Sequence, residues 1–250
     1  MSNHLVIVCG CPRSGTSWVW GLLISNKNFK PLLIEDFPGI KSVGDVRKMK
    51  LENGFRTTET TVFFSNLTDV QIKHDISKKI KDEPEVFFVE KTPPNLLKLD
   101  RIIKLFPEAK IIHIIRDPRA VANSMLRTEF ATGFKFARSL GKAINLYRDF
   151  YTAGKRYENY ENLIRVGYED LQKNPELVYS RMLEFIGSPA LSKKEIKKIF
   201  SQNKNKVQSI QPGLFRKGKI DSYKKELTKD EIKKIEEKLK DVMIDYGYKI

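Results

Sequence analysis

Apolar residues run unbroken from Leu5 to Val8 and close on Gly10, then return at helical spacing from Thr16 to Ile24. The chain therefore opens on a strand, a tight turn and a helix. A strand that is apolar at every position suits a parallel sheet covered on both faces. The same reading predicts a second strand at Pro31 to Ile34, a third at Val86 to Val89, a fourth at Ile111 to Ile115 and a fifth at Leu163 to Val166. After the third strand a helix begins near Pro93 and Pro94, sets Leu96, Leu99, Ile103 and Phe106 on one side, and stops at Pro107. Asp117 before Pro118 is an N-cap with proline at the first helical position. Further helices are expected from Phe136 to about Tyr157 and from Asn174 and Pro175 to Gly187. Two more open on capping boxes, Ser192 with Glu195 and Thr228 with Glu231, flanked by the staple pairs Leu191 with Ile196 and Leu227 with Ile232. Alternating strands and helices define an α/β class: three layers, α/β/α, on a central parallel sheet that binds ligands at the carboxyl ends of its strands.

Composition narrows the picture little. At 250 residues and 40% hydrophobic, the chain fits one domain spanning 1–250. Its 46 Lys and Arg against 31 Asp and Glu leave a formal charge of +15, which favours anionic partners without choosing among them. Much of the excess reads as solvated helix faces, as at Lys193, Lys194, Lys197 and Lys198. Only two cysteines occur, Cys9 and Cys11, two apart at what reads as a strand end, so no disulfide framework is expected. His4, His74 and His113 are too scattered for a zinc site, and no metal is expected. Without an apolar run of about 18 residues to span a bilayer, or a signal peptide, a cytoplasmic location is expected.

The chemistry begins in Gly10-Cys11-Pro12-Arg13-Ser14-Gly15-Thr16-Ser17, a turn with P-loop glycine spacing between strand and helix. Such a turn offers successive backbone N–H groups to an anion, and the helix dipole adds favourable potential. Thr16 stands where a P-loop has its lysine, and the strand from Ile111 ends in Arg116 rather than a magnesium-holding carboxylate. A nucleoside triphosphate with its metal fits poorly.

Pro12-Arg13-Ser14-Gly15-Thr16-Ser17-Trp18 resembles the 5′-phosphosulfate loop of sulfotransferases that use 3′-phosphoadenosine 5′-phosphosulfate (PAPS). Ile115-Arg116-Asp117-Pro118-Arg119-Ala120, with Ser124, resembles their 3′-phosphate motif, and Phe215-Arg216-Lys217-Gly218-Lys219 their later arginine-lysine-glycine segment. Glu90-Lys91-Thr92-Pro93 is similar to the lysine-bearing strand end between them. The resemblance implies PAPS as donor, with adenosine 3′,5′-bisphosphate as product. Arg13, Ser14, Gly15, Thr16 and Ser17 would cradle the 5′-phosphate through backbone amides and the Thr16 and Ser17 hydroxyls. Arg116, Ser124, Arg216, Lys217 and Gly218 would hold the 3′-phosphate, and Tyr168 would contact the adenine. Lys91 would stabilise the leaving group of a direct in-line transfer.

Pro93 occupies the place near Lys91 where cytosolic members carry a catalytic histidine. The pattern is closer to tyrosylprotein and heparan-type enzymes, whose base is a glutamate. Glu35 falls near that location, with Asp36 and Glu90 as alternatives and His113 assigned to the core. The polar, weakly periodic stretch 38–84 is assigned to acceptor-binding loops or helices, with His74 its first candidate base. The resemblance implies a hydroxyl or amine acceptor on a glycan, a lipid, a small molecule or a protein tyrosine, without choosing among them. Two other readings remain open at this point. One is a P-loop kinase or related phosphotransferase. The other is a non-catalytic anion- or nucleic-acid-binding protein, although no nucleic-acid-binding motif is evident and no nucleic-acid partner is expected.

Overall fold

The computed structural model describes residues 4–33, 36–37, 62–65, 67–129, 135–210 and 219–250, without the side chains of 64 and 204–210. Five strands, β1 (Leu5–Gly10), β2 (Phe29–Pro31), β3 (Phe87–Lys91), β4 (Lys110–Ile115) and β5 (Leu163–Gly167), form one sheet in the order β2-β3-β1-β4-β5. Every pairing in it is parallel. The chain leaves β1 toward β2 on one side and leaves β4 toward β5 on the other. The loops after β1 and β4 thus flank the switch point, where a doubly wound sheet opens a crevice.

The strands sort their side chains by parity. Val6 and Val8 of β1, Phe87 and Val89 of β3, and Ile112 and Ile114 of β4 share one core with α1 (Thr16–Ile24), α7 (Pro175–Ile186) and α8 (Lys193–Ile210). Leu5, Ile7 and Cys9, Phe88 and Ile111 share the other. That second core takes in α2 (Asp69–Asp82), α3 (Leu99–Leu105), α4 (Pro118–Arg127), α5 (Leu140–Lys155) and α10 (Lys229–Lys238). Short helices α6 (Tyr168–Lys173), α9 (Tyr223–Glu226) and α11 (Lys240–Asp245) complete the set. Three layers follow directly from buried positions on both sides of the central strands β1, β3 and β4.

Local chemistry explains where the boundaries differ from the sequence reading. The apolar run from Pro31 only begins as strand. Leu32 donates its N–H to the Val89 carbonyl at 2.9 Å, continuing the ladder, but the Leu33 N–H turns to the Asp36 carboxylate at 2.8 Å. The helix expected from Phe136 starts at Leu140, because Ser139 caps it by accepting the Lys142 N–H. The prolines after β3 hold a 3₁₀ turn, Pro93–Lys98, before α3 begins. Of the stretch read as weakly periodic, 69–82 is the regular helix α2, opened by a capping box between Thr68 and Gln71 and buried along Ile72, Ile76 and Ile80.

Candidate active site

Gly15 begins the site. At φ 105° it caps α1 in the left-handed region, and a Cβ there would lie 2.5 Å from the Tyr168 ring, so only glycine meets both demands. Trp18 and Val19 both donate their N–H groups to the Gly15 carbonyl, at 2.9 and 3.2 Å. The N–H groups of Thr16 and Ser17 precede these bonds and, among the described residues, make no hydrogen bond, which leaves them open at the positive end of the helix. Ser14 differs from the expectation for the loop amides, since its N–H is spent on the Cys11 carbonyl at 3.0 Å. Its side chain is 1% exposed and lines a small cavity beneath the loop with Cys11, His113 and Tyr147.

Arg116 lies across the crevice at the end of β4. Only 8% exposed, it donates from Nη1 to the Arg13 carbonyl and from Nη2 to the Lys219 carbonyl, both at 3.1 Å, and its guanidinium sits 4.0 Å from the centre of the Tyr168 ring. Among the described residues no carboxylate forms a salt bridge with it, and its Nε is buried without a partner. A buried cation held by carbonyls and a ring is configured for an external anion. Ser124, on α4, accepts a hydrogen bond from Arg13 Nε at 3.1 Å. Arg13 itself has φ 74°, an unusual conformation for a residue with a side chain. The two motifs, more than a hundred residues apart, are therefore joined through Arg13.

Tyr168 is 5% exposed, with Trp18 edge-on at 5.1 Å. Trp18 also meets Phe200 at 6.2 Å, making an aromatic wall beside the loop that was not singled out from the sequence, although Trp18 directly follows the loop residues. Burial raises the Tyr168 phenol, so this ring stays neutral across the physiological range.

Strand parity separates the lysine from one candidate base. Lys91 shares a face with Val89, and its Nζ lies 5.6 Å from the Trp20 ring of α1. Glu90 points to the opposite face, buried at 4%, where it accepts from the Thr92 hydroxyl at 2.8 Å and from Asn95 Nδ2. Asp36 is committed as well, paired with Lys79 at 2.7 Å and bonded to the Leu33 N–H. His113 packs against Gly154 of α5, and burial lowers its pKa to about 3, so it is a neutral core group. His74 lies on α2. Glu35, Arg216, Lys217 and Gly218 lie outside the described residues. Among the described residues no three His, Cys, Asp or Glu side chains converge as metal ligands, and no helix is long and apolar enough to cross a membrane.

A parallel α/β sheet with a glycine-turned loop at its switch point, and a second cationic centre on the neighbouring strand, defines a doubly wound α/β domain with two centres suited to anions. The comparisons narrow that class. The profile described as the sulfotransferase family matches residues 6–192, and the chain belongs to that family. A protein-tyrosine sulfotransferase 1 from Danio rerio is 26% identical over 203 residues, covering 74% of this chain and 53% of that protein. The Homo sapiens protein of the same name is 26% identical over 161 residues, 61% of this chain and 40% of its own length. The chain thus spans about half or less of these relatives. Among solved structures, mouse sulfotransferase SULT7A1 complexed with PAP matches with a TM-score of 0.64 at 17% identity, over 96% of this chain and 85% of that one. The sulfotransferase domain from the curacin biosynthetic pathway matches at 0.62 and 18%, over 98% of both. At these identities the structural matches speak to the fold.

Proposed function

We propose that the protein transfers a sulfonate group from PAPS to a hydroxyl or amine acceptor by direct in-line displacement, and so is a sulfotransferase in activity as well as in family. The observation that carries this reading is Arg13, which binds the 3′-motif residues Arg116 and Ser124 while belonging to the 5′-loop. Two anion centres so joined suit a nucleotide with phosphate at both ends of its ribose. The mouse structural neighbour, a complex with PAP, supports the same donor class.

The donor supplies an activated S–O bond. Thr16 and Ser17 offer the 5′-side their N–H groups and hydroxyls, countering the charge that builds as the bridging oxygen departs. Arg116, Ser124 and the Arg216-Lys217-Gly218 segment hold the 3′-side. Lys91 adds positive charge toward the leaving oxygen. The acceptor proton goes to a carboxylate, and with Asp36 and Glu90 both engaged elsewhere, Glu35 is the assignment. The curated relatives make protein tyrosine one acceptor worth testing, beside glycans, lipids and small phenols.

The decisive assay is transfer of radiolabelled sulfonate from PAPS to such a panel. Label should appear on at least one acceptor class, with release of adenosine 3′,5′-bisphosphate. If ATP with Mg²⁺ labels the panel and PAPS does not, the phosphotransferase reading replaces this one.

A further inference from the structure

The peptide that links Arg116 to Asp117 is gripped at both ends by side chains from other elements. Its carbonyl accepts the Tyr147 hydroxyl of α5 at 2.6 Å, and its N–H donates to Glu169 Oε1 of α6 at 3.1 Å. Neither bond belongs to a helix or sheet ladder. Glu169 is 9% exposed, and its second oxygen, Oε2, accepts the Tyr248 hydroxyl at 2.9 Å.

The approach of Tyr248 is built into the backbone. After α11 the chain turns through Gly247 at φ 75°. Gly247 donates to the Ile244 carbonyl at 3.0 Å and Tyr248 to the Met243 carbonyl at 2.7 Å, the paired bonds of a Schellman turn. That turn reverses the chain and delivers Tyr248 to Glu169, beside the carboxyl end of β4. A buried carboxylate shared between a backbone N–H and a phenol is a committed arrangement, since an unfilled oxygen would carry its desolvation cost uncompensated.

We infer that Glu169 and Tyr248 form a positioning relay for Arg116, through which the segment after α11 sets the protein's selectivity for a 3′-phosphate. The inference rests on the donor reading given above. Arg116 must hold its guanidinium between two carbonyls and the Tyr168 ring, and an arginine fork loses its advantage when its root shifts by a fraction of an ångström. Asp117 is also the N-cap of α4, the helix that carries Ser124, so one N–H bond governs both 3′-side groups. Among the described residues neither Glu169 nor Tyr248 is hydrogen-bonded to the Arg116 or Ser124 side chain; both reach Arg116 through the peptide, and the Glu169 charge also faces its guanidinium.

The test is calorimetric binding of adenosine 3′,5′-bisphosphate and of AMP to the full chain and to Glu169→Ala, Glu169→Gln and Tyr248→Phe. The relay predicts that affinity for the bisphosphate falls roughly 10-fold in Glu169→Ala and roughly 3-fold in Tyr248→Phe, the scale of one or two lost hydrogen bonds. AMP affinity should stay within about twofold, and Glu169→Gln, which keeps an acceptor for the Asp117 N–H, should recover most of the loss. Equal losses for both nucleotides would show a merely structural role and overturn the relay. So would a parent-like bisphosphate affinity in Tyr248→Phe and Glu169→Ala. If Glu169→Ala does not fold, Tyr248→Phe decides alone. A parent protein that binds the two nucleotides equally would instead overturn the donor reading, and the relay with it.

Discussion

Gly15 and Lys91 each offer a substitution whose outcome follows from one contact. In Gly15→Ala the new Cβ meets the Tyr168 ring at 2.5 Å on a backbone already in the left-handed region. The loop must distort or the ring must move, and strain of about 1–3 kcal/mol is expected. Thermal denaturation should show the loss, and calorimetry should show weaker binding of adenosine 3′,5′-bisphosphate, because the displaced ring is the one that supports Arg116. Lys91→Ala should lower single-turnover sulfonate transfer roughly 10²- to 10³-fold, the usual effect of removing one stabilising group from a transition state. Glu35→Gln should lower turnover by roughly 10² or more while leaving nucleotide affinity near the parent value. A Glu35→Gln protein that turns over normally would return the base to an open question. At this scale the loop and the strand-end arginine were legible, because their chemistry is carried by short contiguous motifs. The commitments of Asp36 and Glu90 were not, since Lys79 and Asn95 reach them only once the sheet is assembled.

Among the elements, two capping boxes follow directly from the sequence and a third is visible only in the structure. The Ser192 and Thr228 boxes both form, each with the reciprocal bonds from side chain to backbone. Thr68 and Gln71 make the same motif, but glutamine in place of glutamate and a lysine-rich helix surface obscured the period of Ile72, Ile76 and Ile80. Thr68→Ala should cost about 1 kcal/mol, read as a fall of about 2–4 °C in Tm. The second strand was misplaced for a related reason. An apolar run need not be strand throughout: Leu33 is 38% exposed and gives its N–H to Asp36 instead of the ladder. Strand β4 carries a pH dependence of its own. His113 is held neutral by burial, with its pKa at about 3 against an ordinary 6.5. The unfolded chain therefore binds the extra proton below pH 6.5 while the folded one does not. The contribution is whole above pH 6.5 and is lost as pH falls toward 3, at up to about 1.4 kcal/mol per unit. Chemical denaturation from pH 7 to pH 4 should show this slope, and His113→Gln, less stable at pH 7, should show a shallower one.

For the whole molecule, side chains of α4 are among those that fasten the segment from Lys219 onward. Arg119 forks onto Asp117 at 2.7 Å, reaches Glu236 of α10 at 2.6 Å and lies over the Tyr223 ring. Asn123 and Arg127 bond to Glu226 of α9. Arg119→Ala would leave the buried Asp117 only its N-cap bond from the residue 119 N–H, at a cost of about 3 kcal/mol, and limited proteolysis should cut first within 219–250. The strand order has a further consequence, one that concerns synthesis. β1 is the central strand and leaves the ribosome before any of its partners, yet its neighbours are β3 and β4, whose residues begin at 87 and 110. At about 5–20 residues per second, the most apolar strand of the protein spends several seconds with no sheet to join. Its nearest shelter in that interval is α1, whose Val19, Leu22 and Leu23 follow within twenty residues and later share its core. The helix that presents the loop to its ligand is thus also the nascent strand's first companion, and substitutions on the buried face of α1 should reduce the yield of soluble protein more than its final stability.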